Sequence, residues 1–417
     1  MVSHPVPSDS AVITQRYTLL THIPGYVFGD GTVRTMPLWH KDLQRHLDYL
    51  VNLHLSCPVL SETEAGDKKL NVIEGMTPDR VHHVPQNIGW VRVALNIIPH
   101  FLAMGRVARD SDIVQGGAAG WPFPMSFYLL FWRRIHRFKW FFGVESSFWR
   151  MERGETGSLR KRIAHHVHMF FVPRCLRVAD ATYFTQSEYR DTLLGHTRNT
   201  LINPAVWYEA DDIETPERLA ERHATRDPAA PARALFPARM EAEKGVQTVI
   251  DAVRRVETLL PDDSPGLEID FIGDGAMVGA VRDFVADWTG RVTVRFLEQV
   301  PYGPEFFALL QEYDTLVLAN RKAEQPRIVF DAFSQGVPLI LSETSGALDI
   351  VRPGVDVETF PIDDVAALSD RLVQLAADPG HFAKLGQAGL QAAGNFTLRR
   401  MHEDRRDFLI EVFGTGD

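Results

Sequence analysis

The stretch Ala234–Ile250, ALFPARMEAEKGVQTVI, holds an apolar run, a charged turn and the start of a helix within seventeen residues. Ala234–Pro237 carries no polar side chain, as a strand covered on both faces requires. From Gly245 to Leu260, Val246, Val249, Ile250, Val253 and Val256 recur at helical spacing, which predicts an amphipathic helix.

Downstream the alternation repeats. Strand Leu267–Ile272 runs into Gly273-Asp274-Gly275, then helix Ala276–Trp288, strand Val292–Leu297 and helix Pro304–Glu312. Strand Thr315–Ala319, helix Arg327–Gln335 and strand Pro338–Leu341 follow, with helices Val365–Ala377 and His381–Ala393 at the end. Strand–helix alternation of this length predicts a parallel sheet covered on both sides. Right-handed crossovers then make it doubly wound and Rossmann-like.

The first half is less regular. Tyr17–His22 reads as a strand leading to the loop Phe28-Gly29-Asp30-Gly31, and Leu38–Leu55 reads as a helix on its leucine spacing. Asp112–Val114, Trp140–Val144 and Ala179–Phe184 read as further strands, so a second α/β domain is expected. The boundary falls near Asn203-Pro204, giving an amino-terminal domain 1–204 and a carboxy-terminal domain 205–395. Glu209–Ala232 reads as a surface excursion, and the helix in 396–417 is expected to pack across the interdomain surface.

The chain has 417 residues, 45% hydrophobic and 24% charged, which excludes long disorder and a fibrous repeat and suits two or three domains. A net charge of −10 argues against a nucleic-acid binder with a basic surface. Cys57 and Cys175 form no metal-ligand spacing or disulfide framework and point to a reducing, cytoplasmic setting. Met1–Asp9 lacks the basic and apolar blocks of a signal peptide. Ile113–Trp132, the longest uncharged stretch, is interrupted by Gly116, Gly117, Gly120, Pro122 and Pro124 and is not apolar enough to span a bilayer.

Open parallel sheets bind ligands beyond the carboxyl ends of their strands. The turn Ala238–Gly245 brings Arg239 and Lys244 to a helix start, where free N–H groups and the dipole already favour anions; it reads either as a diphosphate site or as a solvated charged loop. Gly273-Asp274-Gly275 permits close backbone approach, and Glu298-Gln299 offers main-chain groups to a base. In Asn320–Asp331, Pro326 fits a first helical turn, so the N–H groups of Arg327, Ile328 and Val329 are expected to face an anion. Glu324 stands on the loop and Asp331 one turn inside the helix, within reach of a ribose.

Leu235–Val249, Gly273-Asp274-Gly275, Glu324…Asp331-Ala332-Phe333-Ser334-Gln335-Gly336-Val337-Pro338 and Glu343-Thr344-Ser345-Gly346-Ala347 with Gly354 resemble the carboxy-terminal domain of family 4 retaining glycosyltransferases of the GT-B fold. The resemblance implies two Rossmann-like doubly wound domains facing across a cleft. It further implies transfer of a sugar from a nucleoside-diphosphate sugar to a sugar or lipid-linked hydroxyl acceptor, with no metal and no other cofactor.

By the same resemblance Arg239 and Lys244 match the family's diphosphate-binding cations, Glu324 the acid near the donor sugar, and Asp331 the acid at the ribose. Gly29 and Gly31 match a first-domain loop approaching the donor, and Glu145 stands where the family has a histidine. The acids are one residue closer than in the family pattern, the second is Asp rather than Glu, and Gln325-Pro326-Arg327 replaces a Gly-rich step.

Between Phe127 and Arg177 stand eleven cations and three acids, a local +8 that leaves −18 for the remainder. Phe127, Tyr128, Phe131, Trp132, Phe138 and Trp140–Phe142 interleave with them. The stretch reads either as a peripheral patch for the inner face of a membrane or as helices with buried aromatics and solvated arginines. His165, His166 and His168 match no common metal-ligand spacing.

Overall fold

The structure, a computed structural model, describes residues 12–86, 89–118, 120, 123–151, 157–193 and 199–416. Met1–Asp9, Pro122 and the segment holding Glu152, Arg153 and Glu155 lie outside the described residues. The chain divides into one unit of Met1–Trp207 with Leu398–Asp417 and another of Tyr208–Thr397.

In the first unit, seven short strands form one parallel sheet: β1 (Tyr17–Leu20), β2 (Leu53–Cys57), β3 (Val81–His83), β4 (Ile113–Gly117), β5 (Lys139–Val144), β6 (Ala181–Phe184) and β7 (Thr200–Ile202). Their order is β7-β6-β5-β4-β1-β2-β3. Tyr17 pairs with Leu53 on one side and Ile113 on the other. The chain reverses winding direction between β1 and β4, so their carboxyl ends leave a crevice there.

Helices α1 (Pro37–Leu47), α2 (Trp90–Leu95), α3 (Ile97–Asp110), α4 (Leu129–Trp132) and α5 (Leu159–Val178) belong to this unit. A small separate sheet holds Gly25–Val27, Val33–Thr35, Val59–Ser61 and Asn71–Val72.

Two readings of this half are corrected. The helix expected over Leu38–Leu55 ends at Leu47, and Leu53–Cys57 is an inner strand with all five residues buried. A short strand covered on both faces has no alternation to separate it from helical leucine spacing. The final helix, Leu398–Phe413, expected across the interdomain surface, places Leu409 and Phe413 in the first unit's core with Tyr17, Leu43 and Phe141. Among the described residues no helix is long and apolar enough to cross a membrane.

The second unit follows the expected alternation with β8 (Ala232–Pro237), β9 (Leu267–Ile272), β10 (Thr293–Leu297), β11 (Thr315–Leu318) and β12 (Leu339–Ser342), and adds a short strand that the alternation did not include, β13 (Glu358–Phe360). They pair in parallel in the order β10-β9-β8-β11-β12-β13, a doubly wound Rossmann-like sheet. Helices α6 (Val246–Leu259) and α7 (Ile328–Ser334) follow β8 and β11. The face of α6 predicted to be apolar is buried, with Val246, Val249, Val253 and Val256 fully covered.

The stretch read as a surface excursion contains a helix, Pro216–Thr225, capped by Thr215 and anchored by buried Leu219. Just before it, the Tyr208 hydroxyl donates to the Ala393 carbonyl at 2.8 Å.

Candidate functional site

The switch point of the second sheet lies between β8 and β11, and the loops after these strands carry the expected charges. The β8 loop closes with a 3-10 turn, Ala242–Lys244, and Gly245 in the left-handed region at φ 74°. A Cβ on Gly245 would lie 2.0 Å from the Ala319 carbonyl oxygen, so only glycine lets this loop press against the end of β11. The contact continues through the Arg321 N–H, which donates to the Glu243 carbonyl at 2.9 Å.

This approach brings Lys244 and Glu324 together: Nζ and Oε2 are 2.6 Å apart, with side chains 14% and 20% exposed. Arg239 stands farther out, 63% exposed, its guanidinium 3.4 Å from Glu243. Glu243 also lies 3.7 Å from Lys322. Three cations, Arg239, Lys244 and Lys322, and two acids, Glu243 and Glu324, thus crowd one rim of the sheet, each cation beside an acid.

Three polar side chains stand out here beyond the charges; Gln325 was read only as part of the step that replaces a Gly-rich one, and Asn320 and Tyr302 were given no role of their own. Among the described residues, the buried Nδ2 of Asn320 and both amide atoms of Gln325 have no hydrogen-bond partner. Buried amides without partners are rare and mark a place for water or ligand. The third is Tyr302, whose hydroxyl donates to Asp331 at 2.7 Å. Burial pushes the Asp331 carboxyl up to about 6, against the hydrogen bond from Tyr302 and the nearby Arg327 charge. Asp331 therefore does not join the Lys244–Glu324 pair; it faces Tyr302. No sequence pattern signals these three, because their state depends on burial between distant segments.

Other expected residues divide. A Cβ on Gly273 would fall 1.9 Å from the Ala238 carbonyl, and one on Gly275 2.6 Å from that of Met240. The neighbouring loop already uses this close approach, and the Asp274 carbonyl accepts from the Met240 N–H at 2.8 Å. Glu298 is 92% exposed beside Arg282, and Gln299 is exposed too. The Val329 N–H, expected to face an anion, instead donates to Pro326 at 3.1 Å, since the chain turns tightly before α7; Val329 itself is buried. Arg327 is exposed and Ile328 half-buried.

In the first unit a cavity of about 220 Å³ opens at the carboxyl ends of β1, β4, β5 and β6, lined in part by His22, Gly117, Glu145 and Trp207. Glu145, just after β5, accepts from the Tyr183 hydroxyl at 2.7 Å. Tyr183 lies flat over Gly143, where a Cβ would meet its ring at 2.1 Å. Behind it Arg405 stacks 5.4 Å from the ring and donates to Asn203 and to His46 Nε2. Gly29 and Gly31 occupy the hairpin tip between Gly25–Val27 and Val33–Thr35, Gly31 at φ 79°. Asp30 ties that tip to Thr32 and Arg34.

Asp42, His46 and His402 have donor atoms close enough for a metal ion. Arg405 bonding His46 Nε2 at 3.1 Å fixes that nitrogen as an acceptor. The Nδ1 proton of His46 then turns to the Asp42 backbone carbonyl at 2.9 Å, with the Asp42 carboxylate 3.3 Å away, and His402 donates its Nε2 proton to that carboxylate at 3.2 Å. Every partner a cation would need is occupied, with a guanidinium beside it, so the trio is a hydrogen-bonded brace. His166 and His168 bond the helix carbonyls of Arg162 and Ala164 through Nδ1.

Residues 231–378 match the family model of glycosyl transferases group 1. The chain is 27% identical to EpsD of Bacillus subtilis (strain 168) over 193 residues, 46% of this chain and 48% of that protein. It is 27% identical to the glycogen synthase of Mycobacterium tuberculosis (strain ATCC 25618 / H37Rv) over 172 residues, 40% of this chain and 39% of that one. Each match spans less than half of the curated relative. In fold, the sucrose-phosphate synthase from Thermosynechococcus elongatus superposes with a TM-score of 0.69 at 15% identity, covering 96% of this chain and 99% of its own. Anabaena Alr3699/HepE, solved in complex with UDP, gives 0.65 at 13%, covering 95% and 100%. The chain has the GT-B fold of these structures, and residues 231–378 of its second unit match the glycosyl transferases group 1 model.

Proposed function

We propose that this protein is a retaining glycosyltransferase that moves a sugar from a nucleoside-diphosphate sugar to a hydroxyl acceptor, with no metal required, in the synthesis of a glycan or glycolipid. The observation that carries the reading is the loop pair at the second unit's switch point. There Lys244 meets Glu324 at 2.6 Å beside the start of α6 and the unpartnered amides of Asn320 and Gln325.

As the glycosidic bond to the diphosphate breaks, negative charge gathers on the departing phosphate oxygen. Arg239 and Lys244 are placed to bind that charge more strongly in the transition state than in the ground state, which lowers the barrier. Two side-chain cations supply what a metal otherwise would. Glu324 faces the donor sugar and Asp331 the ribose diol. Attack by the acceptor on the departing face gives retention, its proton passing to the leaving phosphate. Gly273, Asp274, Gly275, Glu298 and Gln299 border the nucleotide, Gly29 and Gly31 approach the donor, and Glu145 in the first unit's cavity faces the acceptor. UDP, bound by the Anabaena structure, is the first nucleotide to try.

Thermal shift with uridine, guanosine, adenosine and thymidine diphosphates and their sugars identifies the donor, because bound ligand raises stability by mass action. Product analysis then completes the test: free nucleoside diphosphate with a glycosylated acceptor is expected. An isomerised nucleotide-sugar would make the protein an epimerase, and a shift without turnover across an acceptor panel would make it a donor-binding scaffold.

A further inference from the structure

One outer surface of the first unit departs from what water favours. Helices α3, α4 and α5 bury Met104, Leu129, Val172 and Leu176 in one core, so their opposite sides face solvent together. Phe101 ties α3 to α4 through rings at 5.0 Å to Phe131 and 4.8 Å to Trp132, and Phe171 of α5 stacks on Phe127 at 4.9 Å. The solvent side of such a layer is normally polar. Here Val91, Leu95, Ile98, Leu102, Leu159 and Phe170 are 51 to 74% exposed.

Only cations and histidines are charged or titratable around these side chains on α5. Leu159–Val178 contains Arg160, Lys161, Arg162, Arg174 and Arg177 and no Asp or Glu. On α2 and α3, Arg92 and Arg106 are exposed beside the apolar residues. The Arg174 guanidinium lies 3.6 Å over the Phe170 ring, an apolar base carrying a charged tip. The stretch from Phe127 to Arg177 carries a net +8 in a chain whose remainder carries −18.

We propose that this α2–α5 surface docks on an anionic lipid bilayer. The exposed aliphatic and aromatic side chains enter the headgroup boundary while the arginines pair with lipid phosphates. Charge complementarity selects this occupant: a second copy would set the same arginines against one another. The surface stands apart from the transfer reaction, and its test does not depend on donor or acceptor.

Flotation of the full chain with phosphatidylcholine vesicles, with and without about a third phosphatidylglycerol, tests it. Binding to the anionic vesicles is expected, at least about tenfold above the zwitterionic ones at low salt and weakening as salt rises. Arg160→Gln/Arg162→Gln/Arg174→Gln should weaken partitioning by about fivefold per arginine. Ile98→Glu/Leu102→Glu should weaken it independently, and both variants should keep the wild-type melting curve because the side chains are exposed. The proposal fails if the wild type ignores anionic vesicles at low salt, or if both variants float as the wild type does. Sedimentation showing a dimer that both variants abolish, without vesicle binding, would overturn it in favour of a second copy.

Discussion

Lys244 and Glu324, from the loops after two adjacent strands, hold each other at 2.6 Å. Both side chains are largely covered, so neither charge is well hydrated and each depends on the other. An incoming diphosphate competes with the carboxylate for the ammonium group. The acid that would face the donor sugar is also the group that restrains the phosphate-binding cation.

Replacement of either partner should therefore separate binding from turnover. Lys244→Ala is expected to weaken nucleoside-diphosphate binding by about tenfold to a hundredfold, the loss of one charge-assisted contact. Glu324→Gln should bind the diphosphate more tightly than the wild type while transferring sugar far more slowly. Calorimetric titration of both variants checks this, and equal or weaker diphosphate affinity in Glu324→Gln would contradict it.

Gly245 supports the same pair through the backbone. A side chain there would strain a left-handed residue and strike the Ala319 carbonyl. Gly245→Ala is expected to cost about 2 kcal/mol or more, a fall in Tm of about 4–8 °C for a unit of this size, together with reduced diphosphate binding. An unchanged melting curve would mean that the loop moves aside without cost.

The second unit was legible because the strands that hold the site, Ala234–Pro237 and Thr315–Leu318, are short runs, apolar but for Thr315, closed by charged turns, so the loops of Lys244 and Glu324 could be placed beside neighbouring strands. The first unit was less so. Leu53–Cys57 shows leucine spacing that a helix and a doubly buried strand share. Arg405, in a helix rich in charge, reads as solvated, yet it is 6% exposed because Asn203 and His46, far away in sequence, come to meet it. Asn320 and Tyr302 were invisible, and Gln325 was legible only as a replaced Gly-rich step, for a related reason: an amide or hydroxyl acquires meaning only once burial decides what it lacks.

Arg405 is a sharp test of that first-unit brace. Arg405→Met keeps most of the volume but leaves Asn203 Oδ1 and His46 Nε2 without their buried donor. A loss of about 3–5 kcal/mol is expected, lowering Tm by about 10 °C or more. Tyr183→Phe, which removes the donor to Glu145 and the acceptor that the Gln115 amide meets at 3.5 Å, should cost about 1 kcal/mol and raise the acceptor KM while leaving donor affinity unchanged. A donor affinity that falls with Tyr183→Phe would detach Glu145 from the acceptor side.

Asp331 gives a pH signature. Its folded carboxyl is pushed up to about 6 from an ordinary 3.8 by burial, so between these values the folded chain holds a proton that the unfolded chain has released. Its contribution is full below the lower value and is lost as pH rises through 6, a change on the order of 3 kcal/mol. Asp331→Asn stays neutral at every pH and can still accept from Tyr302. Across pH 4 to 7 the wild type should lose stability relative to this variant and be no more stable than it at pH 7.5. A ribose diol donates to the ionised carboxylate, so nucleotide affinity should rise through pH 6 in the wild type and stay level in Asp331→Asn. Parallel melting profiles for the two proteins over that range would remove Asp331 as a buried titrating group, and parallel affinities would remove it from the ribose.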